Sequence, residues 1–143
     1  MSRMEPWVNC VAPVKPQYQT AGSAGCDLVS TEQVVIPPGE WRLIGTGLFL
    51  EIPDGFVGLI CPRSGLAAKY GITVLNSPGG IDLDFRGEVK VILMNQSAQE
   101  YSVKIGDRIA QLLFTPIAHV KFMQRDQLNE TERGEGGFGS TGK

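Results

Sequence analysis

The chain has 143 residues, 13 Lys and Arg against 15 Asp and Glu, and a net charge of −2. That length fits one domain with a full core, and that charge gives neither a basic groove for nucleic acid nor attraction to an anionic membrane. No apolar run approaches the ~20 residues of a membrane span, and the opening Met-Ser-Arg-Met-Glu-Pro-Trp lacks the apolar centre of a secretory signal, so the expectation is a cytoplasmic protein, small enough to reach a nucleus.

The predicted elements are short and closely punctuated. Residues 7–14 form an apolar strand interrupted by Pro13 and followed by Pro16, which suits a sheet edge. A small-residue loop over 20–25 runs into Cys26-Asp27-Leu28-Val29. Val34-Val35-Ile36 is a brief strand stopped by Pro37-Pro38-Gly39-Glu40. Leu48, Leu50 and Ile52 alternate, and Pro53-Asp54-Gly55 turns the chain. Residues 56–61 make another strand, ending at Pro62-Arg63-Ser64-Gly65. Residues 66–70 are the one convincing helix, with Ser64 as N-cap and Gly71 as C-cap. Residues 72–75 return to strand. In the hairpin that follows, Val89, Val91 and Leu93 alternate with Glu88, Lys90 and Ile92, the period of a strand with one buried face. Tyr101, Val103 and Ile105 alternate next. Residues 109–117 form an apolar strand, whose part 111–117 is expected to be an edge and a subunit contact, and 119–123 are a last extended piece.

This pattern predicts an all-β fold, a distorted jelly-roll or β-barrel with one short helix, over residues 1–128. After Leu128 the composition turns to Gly and charge, which predicts a flexible C-terminal arm over 129–143. The cysteines, Cys10, Cys26 and Cys61, are widely spaced and odd in number. They are expected to be reduced and mostly buried.

Chemistry concentrates in a few stretches. Asp82 and Asp84, at i and i+2, would share one face of a strand. Phe85 follows, and glycines stand on both sides. A bare-backbone hairpin with a carboxylate and a ring suits a flat ligand and a reacting atom, although the same residues also suit a turn with solvated acids. Arg63, Ser64 and a helix N-terminus together suit a phosphate oxygen, or else a simple helix cap. Ser64 lacks the Gly-x-Ser-x-Gly flanks of a hydrolase nucleophile, and the sole histidine, His119, reads as a half-exposed strand residue. In the arm, residues 134–139 match Gly-x-Gly-x-x-Gly and 137–143 match Gly-x-x-x-x-Gly-Lys, but no helix follows to receive a phosphate. A glycine-rich arm with Arg133, Ser140 and Thr141 can instead close over a phosphate and be ordered by it.

Five stretches then occur in order. They are Ala24-Gly25-Cys26-Asp27-Leu28, Pro62-Arg63-Ser64-Gly65-Leu66-Ala67, Gly80-Ile81-Asp82-Leu83-Asp84-Phe85-Arg86-Gly87, Gly106-Asp107-Arg108-Ile109-Ala110-Gln111-Leu112, and the arm from Arg133 to Gly142. This resembles the five-motif signature of the homotrimeric all-β dUTPases, the dUTP nucleotidohydrolases. The resemblance implies hydrolysis of dUTP to dUMP and pyrophosphate, which limits uracil in DNA and supplies dUMP for thymidylate synthesis. It implies Asp82 as the carboxylate that activates water, and Phe85, usually Tyr, as the ring on deoxyribose that leaves no room for a 2′-hydroxyl. Asn76, Gly80, Ile81 and neighbouring backbone would pair with uracil. Arg63, Ser64, Gly65 and Gln111 would contact phosphates. Arg133, Gly139, Ser140 and Thr141 would do so from the arm, with Phe138 stacking on uracil. Asp27 would lie near the water network of a Mg²⁺ held by substrate phosphates and waters, with no direct protein ligand. A homotrimer with shared sites is implied, the arm closing a neighbour's site. Cys26, Leu83 and Phe85 depart from the family's usual residues without removing chemistry. A dCTP deaminase of the same fold, or a nucleotide-sensing regulatory protein on this scaffold, are the alternatives. The first would use a Glu base and need no Phe-bearing arm.

Overall fold

A computed structural model of the chain describes residues 5–143. Ten strands and one short helix follow in the order β1 (Asn9–Val11), β2 (Cys26–Val29), β3 (Val34–Ile36), β4 (Trp41–Glu51), β5 (Phe56–Cys61), α1 (Ser64–Tyr70), β6 (Ile72–Val74), β7 (Gly79–Ile81), β8 (Val89–Asn95), β9 (Tyr101–Val103) and β10 (Arg108–Pro116). They form a four-stranded sheet β1-β4-β8-β6, a second four-stranded sheet β2-β10-β5-β7, and the pair β3-β9. The all-β fold with one helix is as expected from the turn-rich sequence, and the sheets stay open rather than closing into a barrel. Among the described residues no helix is long and apolar enough to cross a membrane.

One apolar cluster ties the sheets together. Ile44, Leu48, Val89, Val91 and Leu93 come from the first sheet, Cys26, Leu28, Ile60 and Leu112 from the second, and Ile36 and Val103 from the third. Val89 and Val91 are buried while Lys90 between them is exposed. Each such side chain contributes about 1.5–3 kcal/mol on leaving water. The buried amide of Asn95 is satisfied throughout: Nδ2 donates to the carbonyls of Ile36 and Gln99, and Oδ1 accepts from the Ser97 N–H and hydroxyl. It thereby ties the turn after β8 to the end of β3.

Several expectations need correction. β7 and β8 are not hairpin partners: β7 pairs with β5, and β8 with β4 and β6. The two acids do not share a strand face, because β7 stops at Ile81 and residues 83–84 form a turn, closed by the Phe85 N–H donating to the Asp82 carbonyl at 3.2 Å. The N-cap of α1 is Arg63, in extended conformation and without a side-chain cap, so Ser64 is the first helical residue; Gly71 is the left-handed C-cap as expected. Residues 111–117 are not an edge, since β10 lies between β2 and β5. Residues 119–123 join no sheet, and Val120 and Phe122 stand exposed. Trp41 to Thr46, not predicted as strand, is the first part of β4, which carries a register shift between Gly45 and Leu48. Cys10 is exposed and Cys61 half-buried; only Cys26 is fully buried, and that burial pushes its thiol pKa up.

Candidate active site

The second sheet sets the geometry. β5 is flanked by β10 on one side and β7 on the other, and β7 is the sheet's edge. Gln111 of β10 lies opposite Cys61 at the end of β5, so the turn Pro62-Arg63-Ser64 emerges beside it. Gln111 Nε2 donates to the Pro62 carbonyl at 2.9 Å, which fixes that turn. Gly25 lets these side chains close in: a Cβ there would lie 2.9 Å from Gln111 Oε1 and 3.0 Å from a Leu113 methyl, and would push both aside.

A cavity of about 270 Å³ opens at this point, lined among others by Asp27, Arg63, Ser64, Gly65, Arg108 and Gln111. Asp27 is the only carboxylate in its wall among the described residues. Its two oxygens face two guanidinium groups: Oδ1 is 3.4 Å from Arg63 Nε, and Oδ2 is 3.4 Å from Arg108 Nη1. Arg63 Nη1 also donates to the Arg108 carbonyl at 2.9 Å. The bonds leave two forks of donors around an open polar hollow, with net positive charge, beside an exposed hydroxyl. That arrangement suits an anion with several oxygens. Among the described residues no group of three or more His, Cys, Asp or Glu is placed to hold a metal ion.

A second group of predicted residues lies elsewhere. Asn76, Gly80, Asp82 and Phe85 are all exposed, on β7 and its flanking loops, whereas the Ile81 side chain is in the core and only its backbone can meet a ligand. β7 uses one edge for β5 and leaves the other unpaired, so its N–H and C=O groups point outward. At Gly80 nothing lies within 4 Å of where a Cβ would stand. The Phe85 ring folds back over Gly87, where a Cβ would lie 2.5 Å from it, so only glycine leaves room for that ring position. Arg86 holds the turn by donating from Nη1 to the Leu83 carbonyl at 2.7 Å.

The two groups are far apart in one chain. Ile81 lies opposite Gly58, and Arg63 stands five residues further along the chain, two beyond the end of β5 and in extended conformation. At the rise of an extended strand, this puts Asp82 about 17 Å from the phosphate-type cavity. The third predicted group, Arg133 and 138–141, is turned on itself: Arg133 Nε donates to the Gly136 carbonyl at 2.8 Å, and Phe138 is wholly exposed with φ of 50°. A bulky residue there is held in the left-handed region, a conformation that sets the ring outward. The structure therefore gathers Asp27, Arg63, Ser64, Gly65 and Gln111 in one place and Asn76, Gly80, Asp82 and Phe85 in another.

Sequence reasoning assigned no role to Arg108 or Arg86. Arg108 stands inside one of the five motifs, but its pairing with Asp27 spans 81 residues and leaves no local signal.

Comparison with known proteins identifies the fold. A family model described as dUTPase matches residues 14–142. A deoxyuridine 5′-triphosphate nucleotidohydrolase of Nautilia profundicola is 55% identical over 128 residues, covering 90% of this chain and 90% of that one. One from a Wolbachia of Brugia malayi is 56% identical over 132 residues, covering 90% of this chain and 85% of that one. The solved structure of a Staphylococcus bacteriophage 80alpha dUTPase with dUpNHpp superposes with a TM-score of 0.88 at 27% identity, covering 97% of this chain and 100% of that one. With residues 14–142 matched by the family model and 55–56% identity to the two nucleotidohydrolases over 90% of its length, the chain belongs to the dUTPase family.

Proposed function

We propose that this protein hydrolyses dUTP to dUMP and pyrophosphate, at sites that more than one copy of the chain completes. The observation that carries this reading is Gly80 on the unpaired edge of β7, next to Asp82 and Phe85. A free strand edge reads a planar base through backbone donors and acceptors, as a further strand would be read. Cytosine reverses the donor and acceptor at one edge, and each mismatched buried group costs about 1–3 kcal/mol. The carboxylate and the ring then fall beside the sugar and the first phosphate.

The reaction needs an in-line water, a base and charge neutralisation. Asp82 takes a proton from water, and the water oxygen attacks the α-phosphorus. The bond from that phosphorus to the α–β bridging oxygen breaks, and pyrophosphate leaves with the electron pair. The proton passes from Asp82 to solvent. A base works within about 3 Å of its water, and that water within about 3.5 Å of the phosphorus. A separation of about 17 Å between Asp82 and Arg63, set by the strand rise, is too great for both to serve one triphosphate from one chain. We therefore assign Arg63, Ser64, Gly65 and Gln111 to the phosphates of a substrate whose base and sugar lie on another copy's Asn76, Gly80, Ile81, Asp82 and Phe85. Three such sites in a homotrimer follow from closed symmetry. The arm, residues 129–143 beyond the domain of residues 1–128, brings Arg133, Gly139, Ser140 and Thr141 to the phosphates and Phe138 to the base.

Mg²⁺ fits this donor set as an ion carried by the substrate. A triphosphate bears about four negative charges, which the ion offsets when bound. Asp27, engaged by two guanidinium groups, would face its waters rather than bind it.

The sugar wall gives the test. Phe85→Ala should leave the fold intact, since the ring is 46% exposed. It should reduce the preference for dUTP over UTP by about tenfold or more, because the space for a 2′-hydroxyl opens. Parallel kcat/KM measurements on the two nucleotides check this, and an unchanged ratio would show that the ring does not screen the sugar.

A further inference from the structure

The ring of Phe85 carries no polar group, so no side-chain hydrogen bond can fix it beside a sugar. The backbone around it is fixed: the Phe85 N–H donates to the Asp82 carbonyl at 3.2 Å, and Arg86 Nη1 donates to the carbonyls of Leu83 at 2.7 Å and of Phe85 itself at 3.3 Å. The core does not enclose the ring. Leu83, two residues earlier, packs against the core, while Phe85 stays 46% exposed. The ring lies instead where a side chain of Gly87 would stand. A Cβ there would be 2.5 Å from Cζ, 2.8 Å from Cε1 and 3.3 Å from Cε2, and these ring carbons are the three atoms nearest to it. Carbon atoms pack at about 3.5–4.0 Å, so the ring fills space that any other residue at 87 would claim. The backbone gives no separate reason for a glycine. Gly71 and Gly106 have positive φ, and Gly87 does not.

We infer that Gly87 is a specificity-positioning residue, the seat that holds the Phe85 ring where it refuses a 2′-hydroxyl. This role rests on the proposed use of the ring as the wall beside deoxyribose, and it adds what sets the wall's place. Such a wall discriminates only while it stands still, because the two sugars differ by one oxygen. A Cβ at Gly87 would drive the ring tip back by about 1 Å or more, and a displaced ring no longer closes the space for that oxygen. The neighbouring residues divide the work. Arg86 holds the carbonyls of the turn, and with them the point from which the ring projects. Gly87, having no side chain, lets the ring lie down on the chain. Gly80 is bare for another purpose: nothing lies within 4 Å of its Cβ position, so its backbone is open to a ligand, whereas Gly87 is open to the protein's own ring.

The test is a double-mutant cycle on the full-length chain, read as the ratio of kcat/KM on dUTP to kcat/KM on UTP. Gly87→Ala should lower this ratio by about threefold or more, chiefly through a gain on UTP, which damage to the turn alone would not give. Phe85→Ala/Gly87→Ala should show the ratio of Phe85→Ala, since the side chain through which Gly87 acts is gone. A lowered ratio for Phe85→Ala with a wild-type ratio for Gly87→Ala overturns the seat and leaves the ring standing as the sugar wall. So does Gly87→Ala lowering the ratio by the same factor with and without the ring, because the glycine then acts without Phe85. An unchanged ratio for Phe85→Ala overturns both. If Gly87→Ala alone fails to fold, the double variant decides: folded, with the ratio of Phe85→Ala, it supports the seat, and unfolded it overturns it.

Discussion

Asp82→Asn is expected to lower kcat for dUTP by about 10²–10⁴-fold, the range for losing a positioned general base. Binding of a non-hydrolysable dUTP analogue should stay within a few fold of the wild type. The asymmetry follows from where the residue sits. Asp82 is exposed, and the turn that carries it is held by backbone, through the Phe85 N–H on the Asp82 carbonyl, and by Arg86 on the Leu83 carbonyl. Neither contact uses the Asp82 side chain, so the fold has no need of its charge. Asparagine keeps the size and leaves the backbone edge that reads the base, but it cannot accept a proton from water. Steady-state turnover and analogue titration on one preparation separate the two effects. Turnover within a few fold of the wild type would remove Asp82 from the base role and leave the exposed Asp84 as the nearest carboxylate to examine.

Ending the chain at Glu132 is expected to cut turnover by about a hundredfold or more while leaving the thermal midpoint nearly unchanged. From Arg133 onward the hydrogen bonds are local: Gly136 N–H to the Arg133 carbonyl, Ser140 N–H to that of Gly137, Gly142 N–H to that of Gly139. Phe138 touches no core, and removing such a segment costs little folding energy. What the shortened chain loses is Arg133 and the hydroxyls of Ser140 and Thr141 at the phosphates, and the exclusion of water that a closed arm provides. Turnover and a calorimetric scan of the shortened chain check both halves. A shortened chain that unfolds places the arm in the fold, and one that works normally removes its role as a cover.

How much of this was legible depends on which forces act locally. β8 could be read because one face is buried and the other wet, which writes a period of two into Val89, Val91 and Leu93. The end of α1 could be read because Gly71 alone tolerates its left-handed φ of 66° cheaply. The first half of β4 could not, because Trp41 and Leu43 are apolar on the exposed face and erase the period. β7 is three residues long and two are glycine, so its limits, and hence the place of Asp82 just beyond them, come from pairing with β5. The ion pairs of Asp27 with Arg63 and Arg108 join motifs far apart in sequence, and only the sheet order brings them together. The motif residues were visible as a set; that they divide into groups about 17 Å apart, by the strand rise, is a property of the register alone.

The measurement that tests the account most directly is pyrophosphate release from dUTP, dCTP, dTTP and UTP in parallel, with and without Mg²⁺, and with ammonia release from dCTP followed alongside. The account predicts pyrophosphate from dUTP alone, faster with the ion, and no ammonia. Ammonia from dCTP, or no pyrophosphate from any of the four by a folded protein, would contradict it.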